Sequence, residues 1–399
     1  MNAMTYFILG SHPELSTAEL EAVLGTGLKV EDRSDSALLA QPIGRNLDEL
    51  QERLAGVVKI GRVIGELPRW SREEAAELVA GFALQAAGKN KISFGLSVYE
   101  LGDAQRTREV EKDLDTTGLE VKRLLKEGSR PVRYVKAREP RLSSAVIEMN
   151  GLLSSGGEFV FLAASDRIYV GQTETIQNFR AWEARDFGRP ARDAKAGMLP
   201  PKLARLMINL SGVNPSGATL LDPFCGSGTI LMEGILMEFE RIIGSDVSPK
   251  AIEGTQSNLM WLVERFNLSN PKLELFTTPA MTLSKILSPA NGGFTAVNAL
   301  VTEVYLGSPR RAPAGLSEIQ YLERELLPLY ESSFAALKPL LASTARAVVA
   351  FPAFKKTDGA WHRLPIQNLL SKLGYNVEQQ FLYHRADQLV ARDIVVMTR

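Results

Sequence analysis

The pattern of hydrophobic and polar positions divides the chain into two halves of different character. In the first half, short apolar runs alternate irregularly with amphipathic stretches. Apolar runs of four to eight residues are typical of strands, and apolar residues three and four positions apart are typical of helices. This pattern predicts strands at residues 5–9, 59–64 and 92–101, and helices over residues 16–25, 46–57 and 71–87.

Polar residues at the predicted helix ends supply start and stop signals. Ser16 and Glu19 have the spacing of a capping box, in which Ser16 accepts the Glu19 amide and the Glu19 side chain reaches back. Gly25 can adopt the left-handed conformation that ends a helix. Ser71 is a predicted N-cap residue for the third helix.

The end of the first half predicts a hairpin followed by a connector. Residues 158–163 and 167–171 have the composition of two strands, with a turn at residues 164–166. Residues 173–194 are polar, rich in arginine and poor in aliphatic side chains. We interpret this stretch as a connector between domains.

From Gly197 onward, strands and helices alternate regularly, which is typical of a doubly wound parallel sheet. The closing runs at residues 381–384 and 393–397 suit an antiparallel pair. The other elements predicted here are a helix that Pro200 and Pro201 open, a strand at residues 219–222, a helix at residues 230–237, a strand at residues 241–246, and a helix with Ser248 at its N-cap and Pro249 at N1.

Length and composition narrow the class of protein. A chain of 399 residues predicts two or three domains, and 45% hydrophobic with 23% charged residues is the profile of a globular protein. No apolar run is long enough to cross a membrane, and the N-terminus lacks the basic region of a signal peptide. The single cysteine, Cys225, excludes an internal disulfide and a cysteine-based zinc site. We therefore expect a cytoplasmic protein.

Charge is balanced over the chain but not along it. The 46 basic and 46 acidic residues give a net charge of zero, which argues mildly against a nucleic-acid partner. Residues 122–141 nevertheless hold eight basic and two acidic residues, a local charge of 8 − 2 = +6. Phosphate contacts are local, so such a segment is compatible with RNA binding, although a solvated face is the commoner explanation. The candidate RNA-binding residues are Lys122, Arg123, Lys126, Arg130, Arg133, Lys136, Arg138 and Arg141.

A second basic cluster covers the end of the connector and the start of the second half. It comprises Arg185, Arg189, Arg192, Lys195, Lys202 and Arg205, opposed by Asp186 and Asp193. Trp182 and Phe187 lie among these arginines and could stack on RNA, although packing of the connector onto a domain is the commoner role for such residues.

A glycine-rich turn between residues 222 and 229 is the predicted ligand-binding site. Glycines after a first strand let a ligand approach the backbone, with free amides of the next helix facing it. Leu231 stands where a dinucleotide-binding site needs its third glycine, and the phosphate-binding Gly-Lys-Ser/Thr is absent. Asp222 suits an ammonium group, and Asp246, which ends the next strand, suits ribose hydroxyls. A ligand with both groups is S-adenosylmethionine.

Three stretches resemble a known family. Residues 222–229 (Asp-Pro-Phe-Cys-Gly-Ser-Gly-Thr) resemble motif I of the class I amino-methyltransferases, in the variant of THUMP-domain RNA methylases. Residues 189–204 resemble the segment that joins THUMP to the catalytic domain in tRNA guanosine-10 N2-methyltransferases, and residues 142–173 resemble the end of THUMP.

This resemblance implies an architecture and a cofactor site. It implies an α+β ferredoxin-like domain (residues 1–70), a THUMP RNA-binding domain (71–172), a linker (173–195) and a Rossmann-like α/β methyltransferase domain (196–399) with a mostly parallel seven-stranded sheet. The residues it assigns to S-adenosylmethionine are Leu199, Asp222, Pro223, Phe224, Gly226, Gly228, Thr229, Asp246 and Val247. It also implies a tRNA partner, and the one-chain design favours a monomer.

The catalytic motif departs from the family pattern. Members carry Asp or Asn followed by Pro-Pro-Tyr or Pro-Pro-Phe, where the acid or amide accepts hydrogens of the target amine and the ring stacks on the base. Here Glu303 retains an acceptor and Tyr305 an aromatic ring, but both prolines are missing. Pro279 stands where members place an Asp that binds the cofactor adenine. We take Glu303 and Tyr305 as the candidate catalytic residues.

The resulting prediction is methyl transfer from S-adenosylmethionine to N2 of a guanosine in tRNA. Three alternatives stay open on the sequence alone: another tRNA or rRNA amine, a DNA amine, and an RNA-binding protein that keeps the fold without turnover. Cys225 is interpreted as a small apolar filler rather than a nucleophile. His12, His362 and His384 share no metal-ligand spacing, so we expect no metal site.

Overall fold

The computed structural model describes residues 3–86, 91–127, 131–192, 198–269, 272–287 and 296–399. The chain separates into two compact units, Met1–Ala181 and Trp182–Arg399. Across the described part of the chain, no helix is long and apolar enough to span a membrane.

The first unit is built on one mixed eight-stranded sheet in the order β2-β3-β1-β4-β8-β7-β5-β6. Its strands are β1 (Thr5–Leu9), β2 (Val30–Arg33), β3 (Ala37–Ala40), β4 (Val57–Leu67), β5 (Ile92–Leu101), β6 (Val132–Val135), β7 (Gly156–Ala164) and β8 (Ile168–Ile176). β5 pairs in parallel with β6 and β7, and the other neighbours are antiparallel. Its helices are α1 (Pro13–Leu24), α2 (Leu47–Arg53), α3 (Arg72–Ala86), α4 (Ala104–Glu127), α5 (Ser144–Met149) and α6 (Leu152–Ser155), and α7 (Phe179–Phe187) covers the division between the units.

Most local predictions for this unit are confirmed. The strands predicted at residues 5–9 and 92–101 are β1 and β5, the strand predicted at residues 59–64 lies within β4, and the predicted hairpin is the antiparallel pair β7–β8. Ser71 accepts a hydrogen bond from the Glu74 amide at the start of α3, as expected of an N-cap residue. Residue 87, the predicted end of this helix, lies outside the described residues.

The predicted capping box at Ser16 is wrong. α1 begins one turn earlier, at Pro13, whose fixed φ suits the first helical position. Ser16 therefore lies inside the helix and donates to the His12 carbonyl. The buried carboxylate of Glu19 accepts instead from the amides of Ala55 and Gly56, at 2.9 and 2.7 Å. Those partners are distant in sequence, so local spacing could not reveal them.

The predicted connector is partly regular structure. β8 extends to Ile176 and α7 covers residues 179–187, while residues 193–197 lie outside the described part of the chain. The polar, arginine-rich composition therefore did not predict the structure of this stretch. The end of β8 is a strand because it pairs with its neighbours β4 and β7 in the sheet. β4 also pairs with β8 across the boundary predicted at residue 70, so one sheet runs through the whole first unit.

A buried ionic network lies at the centre of the first sheet. The Lys59 ammonium is 2.5 Å from a carboxylate oxygen of Glu158, and both side chains are fully enclosed. Ser97 and Thr173 also donate to this carboxylate, and Lys59 donates to the Leu142 carbonyl at 2.6 Å. Each buried charge thus has several partners, which is the condition under which burial is tolerated. The network also holds the backbone just after residue 141 against the sheet.

The second unit has the predicted doubly wound sheet, in the order β11-β10-β9-β12-β13-β16-β15, with β14 paired to β13 beside this path. Its strands are β9 (Thr219–Asp222), β10 (Arg241–Asp246), β11 (Lys272–Thr277), β12 (Val297–Glu303), β13 (Leu341–Lys355), β14 (Trp361–Arg363), β15 (Asn376–Tyr383) and β16 (Val390–Thr398). Its helices are α8 (Pro201–Leu210), α9 (Thr229–Leu236), α10 (Pro249–Phe266), α11 (Ala280–Ile286), α12 (Leu316–Leu337) and α13 (Ile366–Lys372). The first five strands of the path are parallel, and β16 is antiparallel to both of its neighbours, as the closing apolar runs predicted.

This strand order fixes where a ligand can bind. From β9 the chain moves outward through β10 and β11 and then returns to β12 on the other side of β9. The order therefore reverses between β9 and β12, and ligands of open α/β sheets bind at the carboxyl edge beside such a reversal. Asp222, Asp246 and Glu303 end β9, β10 and β12 at this edge.

Candidate active site

The turn after β9 is a glycine turn whose backbone requires glycine at two positions. Gly226 and Gly228 have φ values of 52° and 78°, in the left-handed region that side chains avoid. A Cβ on Gly228 would also lie 2.8 Å from the Thr255 side chain, whereas one on Gly226 would meet no atom within 4 Å. The Thr255 hydroxyl donates to the Gly226 carbonyl at 2.7 Å. The turn is thus anchored to α10 and open at Gly226, where a ligand can approach the backbone.

Asp222 is a buried acid at the base of this turn. Its side chain accepts hydrogen bonds from the Thr302 hydroxyl at 2.6 Å and from the Phe224 amide at 3.2 Å. Burial raises the pKa of Asp222 to about 7, and the nearby carboxylates of Asp246 and Glu303 add to the rise against these two hydrogen bonds. A cation placed here would restore the ionised form, as the ammonium of S-adenosylmethionine would.

Asp246 is half-buried and organises the opposite side of the turn. One carboxylate oxygen accepts from the Gly226 amide at 3.1 Å and the other from the Ser248 amide at 2.8 Å. Val247, next in sequence, has two thirds of its surface exposed. Since a carboxylate oxygen has more than one lone pair, Asp246 can hold the turn and still accept from ribose hydroxyls.

Three of the other residues predicted to bind the cofactor lie in the same turn or at the start of the helix that follows it. Pro223 is buried and Phe224 is half-buried in the turn itself, and Thr229 begins α9. Leu199 is buried just before α8. The donor and acceptor set fits S-adenosylmethionine, with an acid for its ammonium, an acid for its ribose and an open glycine backbone between them.

Two side chains that the sequence analysis did not assign to the cofactor site, Arg189 of the second basic cluster and Asn258, hold residues 189–191 against the glycine turn. Arg189 is buried and donates to the Thr229 hydroxyl at 2.5 Å. Asn258 is also buried; its amide donates to the carbonyls of Ala191 and Ser227, and its oxygen accepts from the Ala191 amide. Only the resemblance of residues 189–204 to a family segment indicated that this stretch belongs to the site.

Glu303 is placed at the carboxyl end of β12, and its carboxylate forms an ion pair with the Arg392 guanidinium of β16. Burial raises the pKa of Glu303 above its usual value, and the charge and hydrogen bond of Arg392 oppose that rise. Arg392 itself is 4% exposed. The sequence gave no signal for this partner, because the two residues are 89 positions apart.

Tyr305 combines a fixed backbone with an exposed ring. Its carbonyl accepts a hydrogen bond from the buried Tyr330 hydroxyl at 2.6 Å, while 45% of the Tyr305 surface is open to solvent. A ring held in this way beside a strand-end acid can stack on a base.

Pro279 does not reproduce the acid that the family uses for adenine. It is the N-cap residue of α11, and the preceding Thr278 donates its amide to the Asp246 carbonyl at 3.0 Å. The Thr278 hydroxyl is 2.7 Å from that of Thr282. In the described part of the chain, the polar side chain beside Pro279 is therefore a threonine hydroxyl and not a carboxylate.

The basic segment of residues 122–141 lies on the end of α4 and on and after β6 of the first unit. Lys126, Arg133 and Arg138 are exposed, Lys122 is half-buried, and Arg130 is outside the described residues. The other three have local partners: Arg123 pairs with Glu120 and Glu127, Lys136 lies 3.1 Å from Asp115, and Arg141 lies over the Tyr99 ring. These exposed pairs are weak, so most of the charge is available to a polyanion.

The second basic cluster is in part structural. Arg185, Arg189 and Arg205 are buried, whereas Arg192 and Lys202 are exposed and Lys195 lies outside the described residues. Arg185 and Arg205 both lie 2.8 Å from the fully buried carboxylate of Glu233. The Arg185 guanidinium is centred 4.0 Å from the Trp182 ring. Burial of Trp182 and the shared Glu233 carboxylate explain Arg185 and Arg205 as packing residues, whereas Phe187 is 61% exposed.

A polar cleft of about 670 Å³ lies at the opposite, amino edge of the sheet, between Thr219, Arg241 and Lys272. Its charges are already matched, since Arg241 pairs with Glu274 and Lys272 with Glu240. The described residues contain no group of three or more His, Cys, Asp or Glu side chains that could hold a metal ion. The carboxyl edge therefore remains the candidate active site.

Strand order, glycine turn and two strand-end acids together define an S-adenosylmethionine-dependent class I methyltransferase. Residues 189–262 match the family described as RMKL-like, methyltransferase domain. The crystal structure of TrmN from Thermus thermophilus aligns over 99% of both chains with a TM-score of 0.55 at 17% identity, which shows the shared fold.

Sequence relatives identify the family more closely. The tRNA (guanine(10)-N2)-dimethyltransferase of Methanothermobacter thermautotrophicus is 30% identical over 260 residues, which cover 64% of this chain and 68% of that protein. The enzyme of the same name from Methanocaldococcus jannaschii is 36% identical over 107 residues, 27% of this chain and 28% of that one. The chain belongs to the family of tRNA (guanine(10)-N2)-dimethyltransferases.

Proposed function

We propose that this chain methylates the exocyclic N2 amine of a guanosine in tRNA, with S-adenosylmethionine as methyl donor. The observation that carries the proposal is the placement of Glu303 at the end of β12, on the same sheet edge as Asp222 and Asp246. The activity named for the relative from Methanothermobacter thermautotrophicus supplies the substrate. Such a substrate places the enzyme in the cytoplasm.

The residues at this edge have separate tasks in the reaction. S-adenosylmethionine, when bound, would supply an electrophilic methyl group, with S-adenosylhomocysteine as the leaving group. The Glu303 carboxylate accepts hydrogen bonds from the target amine, orients the nitrogen lone pair, and takes the proton that the nitrogen loses once the new N–C bond has formed. The Arg392 guanidinium keeps that carboxylate ionised and in place. The exposed Tyr305 ring stacks on the base after it has left its helix.

In this proposal, the first unit binds the tRNA. The exposed cations Lys126, Arg133 and Arg138 suit phosphate contacts, which are electrostatic and independent of sequence. We assign the ferredoxin-like and THUMP domains to residues 1–70 and 71–172. The continuous sheet through this unit supports a rigid platform for RNA.

A transfer assay with tRNA transcripts tests the proposal. The protein is incubated with methyl-labelled S-adenosylmethionine and an unmodified transcript, and labelled nucleosides are mapped. We expect N2-methylated guanosine at position 10, and none when that guanosine is replaced by inosine, which lacks the N2 amine. Label at another nucleoside, or equal label in the inosine transcript, would contradict the proposed substrate.

A second candidate function is RNA binding without turnover, and the Glu303–Arg392 ion pair is the observation that favours it, because a paired acid is a weaker acceptor. Glu303→Gln separates the two candidates. In an active enzyme it lowers kcat more than it changes tRNA affinity. Glu274, which pairs with Arg241 at the amino edge, gives the matched control, and Glu274→Gln should leave kcat unchanged.

A further inference from the structure

The neighbours of β13 show what lies beyond the carboxyl end of β12. One edge of β13 is occupied by β16 from Arg346 to Phe354. The other edge pairs with β12 as far as Ala350 and with β14 from Ala353 onward. β14 therefore continues the line of β12 after a gap of three register positions, roughly 10 Å at the rise of a strand. The end of β12, with Glu303, points at this gap.

Beyond the gap, β14 begins at an aromatic and basic surface, because Trp361 pairs with Lys355, five register positions past Ala350 and roughly 17 Å along the strand. The ring of Trp361, the first residue of β14, lies 5.1 Å from the His384 ring at an interplanar angle of 35°. The Lys355 ammonium lies 5.9 Å from the centre of the same indole. His384 is exposed, and Trp361 and Lys355 are half-buried. We call these three residues the Trp361 surface.

The segment that carries Tyr305 runs to this surface. After Tyr305, the chain returns to the end of β13, where the Ala314 amide donates to the Lys355 carbonyl at 2.8 Å. Arg311, which lies in this segment, is exposed. Among the described residues, neither Arg311 nor Lys355 takes part in an ion pair. Lys355 thus adds a cation to the tilted Trp361–His384 pair, and Arg311 is a second exposed cation, in the segment that reaches the end of β13.

We propose that the Trp361 surface binds an RNA nucleotide close to the target guanosine in the same strand. This inference rests on the proposed function, since it places the nucleotide by reference to the reacting base at Glu303. Aromatic rings and nearby cations are the chemistry that holds unstacked bases and their phosphates. The surface keeps the strand opened while the target base occupies the site between Glu303 and Tyr305.

The test measures tRNA affinity and methyl transfer separately, with the full chain and a tRNA transcript. Trp361→Ala should weaken tRNA binding roughly tenfold, the usual cost of removing one stacking ring. Trp361→Phe should restore the affinity to within about twofold, because any aromatic face can stack. Lys355→Ala should weaken binding less and lower its salt dependence. S-adenosylmethionine affinity should be unchanged in all three variants.

Lys272→Ala is the matched control, because this lysine is exposed at the amino edge of the same sheet. It should bind tRNA like the unmodified protein. Wild-type tRNA affinity in a folded Trp361→Ala variant, or a Trp361→Phe variant as weak as Trp361→Ala, would overturn the inference. Absence of methyl transfer by the unmodified protein refutes the proposed function. The binding measurements still test, independently of turnover, whether the Trp361 surface binds RNA.

Discussion

The buried acid Asp222 provides a test that links stability, pH and cofactor binding. Its pKa of about 7 in the folded protein compares with about 3.9 in an unfolded chain. The native state therefore keeps a proton that the unfolded state loses as pH rises from about 4 to about 7, so this group lowers stability progressively across that window. The full effect above pH 7 is roughly 4 kcal/mol, and at pH 5 it is roughly 1.5 kcal/mol.

Asp222→Asn removes the titration and keeps the side-chain shape. The amide oxygen can still accept from Thr302 and from the Phe224 amide, while its unpaired N–H groups cost about 1–3 kcal/mol at every pH. The informative quantity is thus how the difference in unfolding free energy between the variant and the unmodified protein changes with pH. Relative to the unmodified protein, the variant should gain about 2.5 kcal/mol between pH 5 and pH 8, or roughly 5–10 °C in the Tm of the second unit.

Thermal melts of both proteins from pH 5 to pH 8, without cofactor, measure this gain. Calorimetry should show that Asp222→Asn impairs cofactor binding. S-adenosylmethionine loses the partner of its ammonium and should bind at least tenfold more weakly. Asp387→Asn, at an exposed acid of the same unit, is the control and should bind S-adenosylmethionine like the unmodified protein. If the Tm difference between the two proteins is the same at pH 5 and pH 8, the raised pKa of Asp222 is refuted. Undiminished cofactor binding by the variant would refute the role of Asp222 as partner of the cofactor ammonium.

Three further substitutions test other parts of the structure. Glu158→Gln leaves the buried Lys59 ammonium without its anion, so the first unit should lose about 3–5 kcal/mol in a urea-unfolding experiment; a loss under 1 kcal/mol would contradict the network. Gly228→Ala forces a side chain into a left-handed position and against Thr255, so cofactor affinity should fall several-fold by calorimetry, and unaltered binding would show that the turn tolerates the change. Arg133→Glu should weaken tRNA binding and flatten its salt dependence, with cofactor affinity as the internal control; an unchanged salt slope would remove this residue from the RNA contacts.

Sequence alone determined the elements whose signals are local. The strands at residues 219–222 and 241–246 and the N-cap at Ser248 follow from apolar runs and from residue types at their ends, and the structure reproduces them. The glycine turn was readable for the same reason, since positive φ at Gly226 and Gly228 restricts the residue type at each position. Cofactor class and sheet class both rest on these local signals.

Tertiary structure decided the partners of buried charges. Glu19, predicted to cap its own helix, binds amides 36 and 37 positions away, and Glu303 meets Arg392 across β13. A buried charge takes whichever donor the fold brings within reach, and that choice depends on strand order rather than on spacing along the chain. For the same reason, the sequence could not distinguish the arginines around Glu233 from an RNA-binding face. Their burial in the structure shows that they belong to the core.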